Sequence, residues 1–187
     1  LTSAYSTFPT GGVNLAPFLI SRIEHADGSI LYANEPAGRR IFPEGVASTV
    51  SNILGKVIDE GTAAEARKSG YLAPAYGKTG TTNDYRDAWF VGYTDKLTTG
   101  VWVGLDQPKT IMDRGYGSTL ALPVWTEVMK AAEGRGYAAA RLPGTNSGLL
   151  VASPLGADDG AASGSGGSGI GKAVRGVGRF LFGASKR

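Results

Sequence analysis

Three short β-like runs, Tyr76–Thr82, Ala88–Tyr93 and Thr98–Leu105, follow one another with only Asn83-Asp84-Tyr85-Arg86-Asp87 and Thr94-Asp95-Lys96-Leu97 between them. Gaps of about four residues close hairpins but cannot carry the crossover that parallel strands require. The middle of the chain is thus confined to a small antiparallel sheet. Helical patterns lie on both sides of it. After Pro43, the residues Val46, Val50, Ile53, Leu54, Val57 and Ile58 recur at helical spacing and predict an amphipathic helix ending near Gly61. Pro123–Glu133 predicts a closing helix, with Pro123 in its first turn and Val124, Val128 and Ala131 along its apolar stripe. Upstream, Leu1–Phe8 is helix-like, and Phe18–Ile23 and Ile30–Ala33 flank Asp27-Gly28, a hairpin signal. Sheet and helices in this order make an α+β layout.

Composition narrows the chemistry. The chain of 187 residues has no cysteine, which excludes disulfides, thiolate metal sites and cysteine nucleophiles. Its one histidine, His25, excludes a multi-histidine metal site and argues against a Ser-His-Asp triad. No apolar run approaches the ~20 residues of a membrane-spanning helix. The net charge of +3 is unevenly placed, because Lys172, Arg175, Arg179, Lys186 and Arg187 all fall in the last sixteen residues. Without them residues 1–171 carry −2, so the basic character belongs to the tail and gives no support to nucleic-acid binding. The stretch from Gly160 to Gly169 contains only glycine, serine and alanine and reads as a flexible linker. The expected organisation is a folded body over residues 1–142, a Gly/Ser-rich linker over 143–171 and a basic tail over 172–187. In the tail, Ile170, Val174, Val177 and Leu181 oppose Lys172, Arg175 and Arg179. That pattern is a candidate for contact with an anionic membrane or wall polymer, although Gly171, Gly176 and Gly178 weaken a helix there and disorder is the leading expectation. Leu1 is not an initiator methionine, and the chain is expected to be a fragment of a longer one.

The residues that carry chemistry are Gly77-Lys78-Thr79-Gly80-Thr81-Thr82. On a strand, Lys78 supplies a fixed positive charge, and Thr79 and Thr81 project from one face, where both hydroxyls can donate to one anion. Gly80 leaves room for an extended substrate to pair with the strand edge, and the Thr81 amide beside it suits an oxyanion hole. Taken alone, the tripeptide reads more readily as a solvated lysine between ordinary β-forming threonines. A phosphate-binding loop is excluded, since Leu72 stands where its first glycine should be and a strand pattern follows instead of a helix.

The wider segment Ala75–Asp106, in which Lys78-Thr79-Gly80-Thr81-Thr82-Asn83 is followed by Asp87-Ala88-Trp89-Phe90-Val91-Gly92, resembles the region around the third motif of penicillin-binding proteins. Within them it is most similar to the bifunctional class A enzymes. The likeness extends over about residues 1–135, through the Gly11-Gly12 turn, Gly61-Thr62-Ala63 and Ala121-Leu122-Pro123-Val124-Trp125. It implies a serine transpeptidase/β-lactamase-like fold with an antiparallel sheet between helical layers. It also implies that Lys78 helps hold and polarise a second-motif serine, and that Thr79 and Thr81 bind the terminal carboxylate of a D-Ala-D-Ala stem peptide or of a β-lactam. The Thr81 amide would complete the oxyanion hole and Gly80 would permit close approach. The implied reaction is acylation of a serine with loss of D-alanine, then transfer to an amine, at the extracytoplasmic face of a bacterial membrane and without metal or organic cofactor. No serine in this chain has lysine three residues later, and Ser-x-Asn is absent. Tyr32-Ala33-Asn34 matches a variant of that second motif but lies in the hairpin, out of place. The chain is therefore expected to hold the carboxylate strand without the nucleophile, to need the rest of its own transpeptidase domain, and to be inactive alone. Its parent is expected to carry a glycosyltransferase domain and an anchor. The same strand also suits a D,D-carboxypeptidase or β-lactamase, or a non-catalytic penicillin sensor.

Outside the motif, Asp84 and Asp87 are expected to bond the turn, His25 to be exposed, and Trp89, Trp102 and Trp125 to be core aromatics. The resemblance places Arg114 and Tyr116 near the cleft rim.

Overall fold

A computed structural model describes residues 1–145. Residues 146–171 of the expected linker and the basic tail lie outside the described residues.

The chain opens with a helical turn, α1 (Thr2–Tyr5), and continues through strands β1 (Val13–Leu15), β2 (Arg22–Glu24), β3 (Ile30–Ala33) and β4 (Gly38–Arg40). Helices α2 (Glu44–Asp59) and α3 (Glu65–Lys68) lead to β5 (Tyr76–Thr81), β6 (Asp87–Tyr93) and β7 (Thr98–Gly104), and α4 (Gly117–Glu133) follows. The sheet β5-β6-β7 is antiparallel throughout, as the short gaps require, with Lys78 opposite Val91 and Gly80 opposite Trp89.

Two cores lie on the two faces of this sheet. On one, Phe90 meets Trp125 of α4 edge to face at 5.0 Å, and Ile58, Tyr71, Leu122 and Met129 close around them. On the other, Tyr76 and Tyr93 stack at 5.4 Å with Val50, Leu54 and Leu142, and Phe8 stacks on Tyr93. Such aromatic pairs contribute about 0.5–1.5 kcal/mol each beyond the area they bury. Gly92 is needed here, because a Cβ would stand 2.7 Å from the Trp125 ring.

The structure differs from the sequence reading in several places. In α2 the buried stripe is Ala47, Val50, Ser51, Leu54, Gly55 and Ile58, while Val46 and Ile53 face outward. Large apolar residues drew the stripe too wide. The small row Ala47-Ser51-Gly55, spaced by four, is what lets the helix approach the sheet, with Gly55 against the Tyr76 ring. Helix α4 begins at Gly117 rather than Pro123, so the proline lies inside it. Its ring faces solvent, and the first turn is already closed by Thr119 and Leu120 amides donating to the Tyr116 carbonyl. The buried side is Ala121, Leu122, Trp125, Thr126 and Met129, leaving Val124 and Val128 exposed. Among the tryptophans, Trp125 is fully buried but Trp102 is 48% exposed, stacked obliquely on half-buried Trp89.

The hairpin at Asp27-Gly28 forms, with Gly28 at φ +84° and the Asp27 carboxylate accepting from the Ser29 amide and hydroxyl. Those bonds lower the Asp27 pKa. Its first strand is only Arg22–Glu24, and Phe18, Leu19 and Ile20 precede it as exposed coil. The small β1–β4 pair was not foreseen, since three-residue strands carry too little alternation to register.

Candidate active site

Strand β5 is an edge strand among the described residues. The Thr82 amide donates to the Asp87 carbonyl at 3.1 Å, and ladder alternation then turns the amides of Thr81, Thr79 and Gly77 away from β6, toward the open edge. The same alternation places the side chains of Thr79 and Thr81, opposite Phe90 and Ala88, on the α4 face. An edge with outward amides and two hydroxyls on one side is suited to an extended chain ending in an anion.

Lys78 lies along this edge. Its ammonium donates to the Thr79 carbonyl at 2.8 Å and to Thr79 Oγ1 at 3.2 Å. Partial burial pushes its pKa down, because the charged form loses solvation. Lys78 and Thr79 are thus brought together directly.

Thr81 is held from the other direction. The Gly117 amide at the start of α4 donates to Thr81 Oγ1 at 3.0 Å, so the oxygen is engaged as an acceptor and its proton can point elsewhere. Gly117 can do this only because it lacks a side chain. A Cβ there would stand 2.2 Å from the Trp89 carbonyl oxygen and 2.6 Å from that of Gly80. On Gly80 itself a Cβ would meet Trp89 Cβ at 3.2 Å, a tight but not forbidding contact. Gly77 is more constrained, with Phe90 Cζ 2.7 Å from its missing Cβ.

Two further residues, neither assigned a role from sequence, join the site. Thr62 Oγ1, in the turn after α2, lies 3.0 Å from Thr79 Oγ1. Gly117 is the other. Both belong to elements distant in sequence from β5, and no spacing rule links them to it. Between these elements lies an open cleft of about 480 Å³, lined by Thr62, Glu65, Lys68, Ser118 and Thr119 among others.

The turn after β5 is held by contacts of its own. Asp84 and Tyr85 both take left-handed backbone conformations, at φ +59° and +53°, and Arg114 does so at +55°. Non-glycine residues persist there only where surrounding contacts hold them. Tyr85 and Tyr116 supply such a contact, their hydroxyls 3.1 Å apart and their rings crossed at 5.1 Å. Asp84 pairs with Arg86 at 2.9 Å. Asp87 bonds the Thr82 hydroxyl at 3.1 Å and the Trp102 indole at 2.9 Å, which makes both aspartates turn and strand-end residues. Among the described residues no group of three His, Cys, Asp or Glu side chains is placed to hold a metal ion.

The family described as penicillin binding protein transpeptidase domain matches residues 1–130. Penicillin-binding protein 1A of Aquifex aeolicus is 39% identical over 130 residues, covering 70% of this chain and 18% of that protein. The chain spans less than a fifth of the length of the curated relatives it matches. Among solved structures, PonA1 of Mycobacterium tuberculosis superimposes with a TM-score of 0.62 at 28% identity, over 78% of this chain and 40% of that one. Penicillin-binding protein 1A of Haemophilus influenzae gives a TM-score of 0.66 at 24% identity, over 71% of this chain and 25% of the other. The helices and antiparallel sheet are those of the penicillin-binding/β-lactamase-like fold, and the chain belongs to the penicillin-binding protein transpeptidase domain family.

Proposed function

We propose that this chain is the C-terminal part of a peptidoglycan D,D-transpeptidase domain and supplies the strand that binds the substrate carboxylate. The observation that carries this reading is the open β5 edge, where the Lys78 ammonium, the Thr79 and Thr81 hydroxyls and the outward Thr81 amide face the same margin of the sheet. The terminal carboxylate of a D-Ala-D-Ala stem peptide, or that of a β-lactam, takes the two hydroxyls. Lys78 supplies positive potential and polarises a serine contributed by another part of the domain, and Gly80 admits the peptide backbone. The Thr81 amide stabilises the oxyanion as a serine oxygen attacks the penultimate carbonyl. D-Alanine leaves with a proton, and an amine of a second stem peptide then takes the acyl group and returns a proton to the serine.

No serine in this chain has lysine at the third following position, so the nucleophile is not among these residues. The parent protein is read as a class A enzyme with a glycosyltransferase domain, anchored in the membrane and working at its extracytoplasmic face. Among the described residues no helix is long and apolar enough to cross a membrane.

The test is acylation by a fluorescent penicillin. In the full-length protein Lys78→Ala and Thr79→Val should slow labelling by about a hundredfold or more, the scale of a lost transition-state contact. The 187-residue chain alone should not label. Near-normal rates in both variants would overturn the carboxylate assignment, and stoichiometric labelling of the isolated chain would overturn the absence of a nucleophile.

A further inference from the structure

Thr62 lies on the turn between α2 and α3, and its hydroxyl is 3.0 Å from that of Thr79. The turn is rigid for two reasons. Gly61 packs so tightly that a Cβ would stand 2.8 Å from Val57 Cα and 2.9 Å from the Val57 carbonyl oxygen. Ala63, on the other side, is fully buried, and its amide donates to the same Val57 carbonyl at 2.9 Å. Thr62 is therefore held at the end of a fixed support, with its own side chain exposed at the site.

A hydroxyl carries one proton and two lone pairs. At Thr79 one lone pair is taken by the Lys78 ammonium, which can only donate. The contact with Thr62 then has two settings. If Thr79 donates to Thr62, its proton is spent inside the protein. If Thr62 donates to Thr79, both lone pairs are filled and the Thr79 proton must point to the open edge. An arriving carboxylate is an acceptor only, so it selects the second setting, and the two donors behind Thr79 polarise the bond it makes. Gly117 does the same for Thr81 with a backbone amide, whose direction is invariant.

We infer that Thr62 is a positioning residue for the carboxylate site, donating to Thr79 so that Thr79 presents its proton to the substrate. The inference rests on the carboxylate-binding reading of Thr79 and adds the group that sets its hydrogen-bond direction. Thr62 does not itself touch the reacting atoms.

The experiment uses the full-length protein, with two probes: a fluorescent penicillin and the same molecule with its carboxylate converted to the methyl ester. Thr62→Val and Thr62→Ala should raise the half-saturating concentration of the free acid about tenfold, because Thr79 loses the donor that directs and polarises its bond to the carboxylate. The limiting acylation rate should change much less. Thr62→Ser should restore parent behaviour, and with the methyl ester parent and Thr62→Val should react alike. Equal losses on both probes would show a merely structural role and overturn the inference, as would parent-like saturation in Thr62→Val. The control is Thr79→Val. If it weakens the free acid and Thr62→Val does not, only the inference fails. If Thr79→Val has no effect on the free acid, the carboxylate reading fails and the inference with it.

Discussion

Gly117 and Trp89 touch through backbone alone, a Cβ on the glycine standing 2.2 Å from the tryptophan carbonyl oxygen. This contact fixes where α4 begins relative to β5 and sets the Gly117 amide against Thr81 Oγ1 at 3.0 Å. Gly117→Ala should push the helix start off the sheet, cost about 1–3 kcal/mol in stability and lower penicillin acylation of the full-length protein about tenfold. Unfolding curves and labelling rates check the two effects separately. A variant unchanged in both would contradict the contact.

Burial of Lys78 holds its pKa below the 10.5 of an ordinary lysine. The unfolded chain therefore keeps this proton to higher pH than the folded one. Below the folded pKa the full cost of the buried charge is present, and between that value and 10.5 stability rises with pH. On the role proposed for Lys78, activity moves the opposite way, because only the ammonium form supplies the positive potential. Acylation should fall on the alkaline side with a midpoint below 10.5. In Lys78→Arg, whose charge does not titrate in this range, the limb should shift upward. A pH–rate profile unmoved by arginine would assign the limb to another group.

Arg67 is clamped by Asp59 at 2.8 and 2.9 Å and by the carbonyls of Tyr71 and Ala73 at 2.8 and 2.7 Å, with little of either charged side chain exposed. Arg67→Met leaves a carboxylate and two carbonyls without their donor and should cost about 3–5 kcal/mol. Adding Asp59→Leu should recover part of that loss. Denaturant unfolding of the single and double variants measures both numbers.

Two buried tyrosines should respond in opposite ways. The Tyr93 hydroxyl bonds Ser51 at 2.8 Å in the core, and burial raises its pKa. Ser51→Ala should cost about 1–3 kcal/mol, most of it returned by Tyr93→Phe in the same protein. The Tyr71 hydroxyl is buried with no hydrogen-bond partner among the described residues, and burial pushes its pKa up to about 12. Tyr71→Phe should therefore leave stability unchanged or raise it by up to ~1 kcal/mol. Thermal unfolding distinguishes the two.

The central sheet was legible because alternation and short gaps are local signals, and both hairpins carry them in full. The Lys78-Thr79-Gly80-Thr81 strand was readable for the same reason, and its resemblance to a known motif gave it a function to test. The faces of α2 and α4 were not. Ser51, Gly55 and Thr126 lie on the buried faces of their helices, whereas Val124 and Val128 are covered by no element among the described residues. Helix packing is decided by what lies opposite, and a one-dimensional pattern does not contain it. Thr62 and Gly117 escaped for a related reason. Their importance comes from a meeting in space with Thr79 and Thr81, across 17 and 36 residues of chain respectively.

Among the described residues no strand pairs with the outer edge of β5, which has a second consequence, for solubility. An exposed strand rim is a template for any extended chain, including another copy of itself, and β-branched threonines favour such pairing. Lys78 stands in the middle of that rim. Two identical rims brought together would juxtapose two ammonium groups, so self-association is penalised, whereas the proposed guest, a chain ending in an anion, would be attracted. One positive charge can thus act as gatekeeper against aggregation on the strand whose edge it leaves open to its guest.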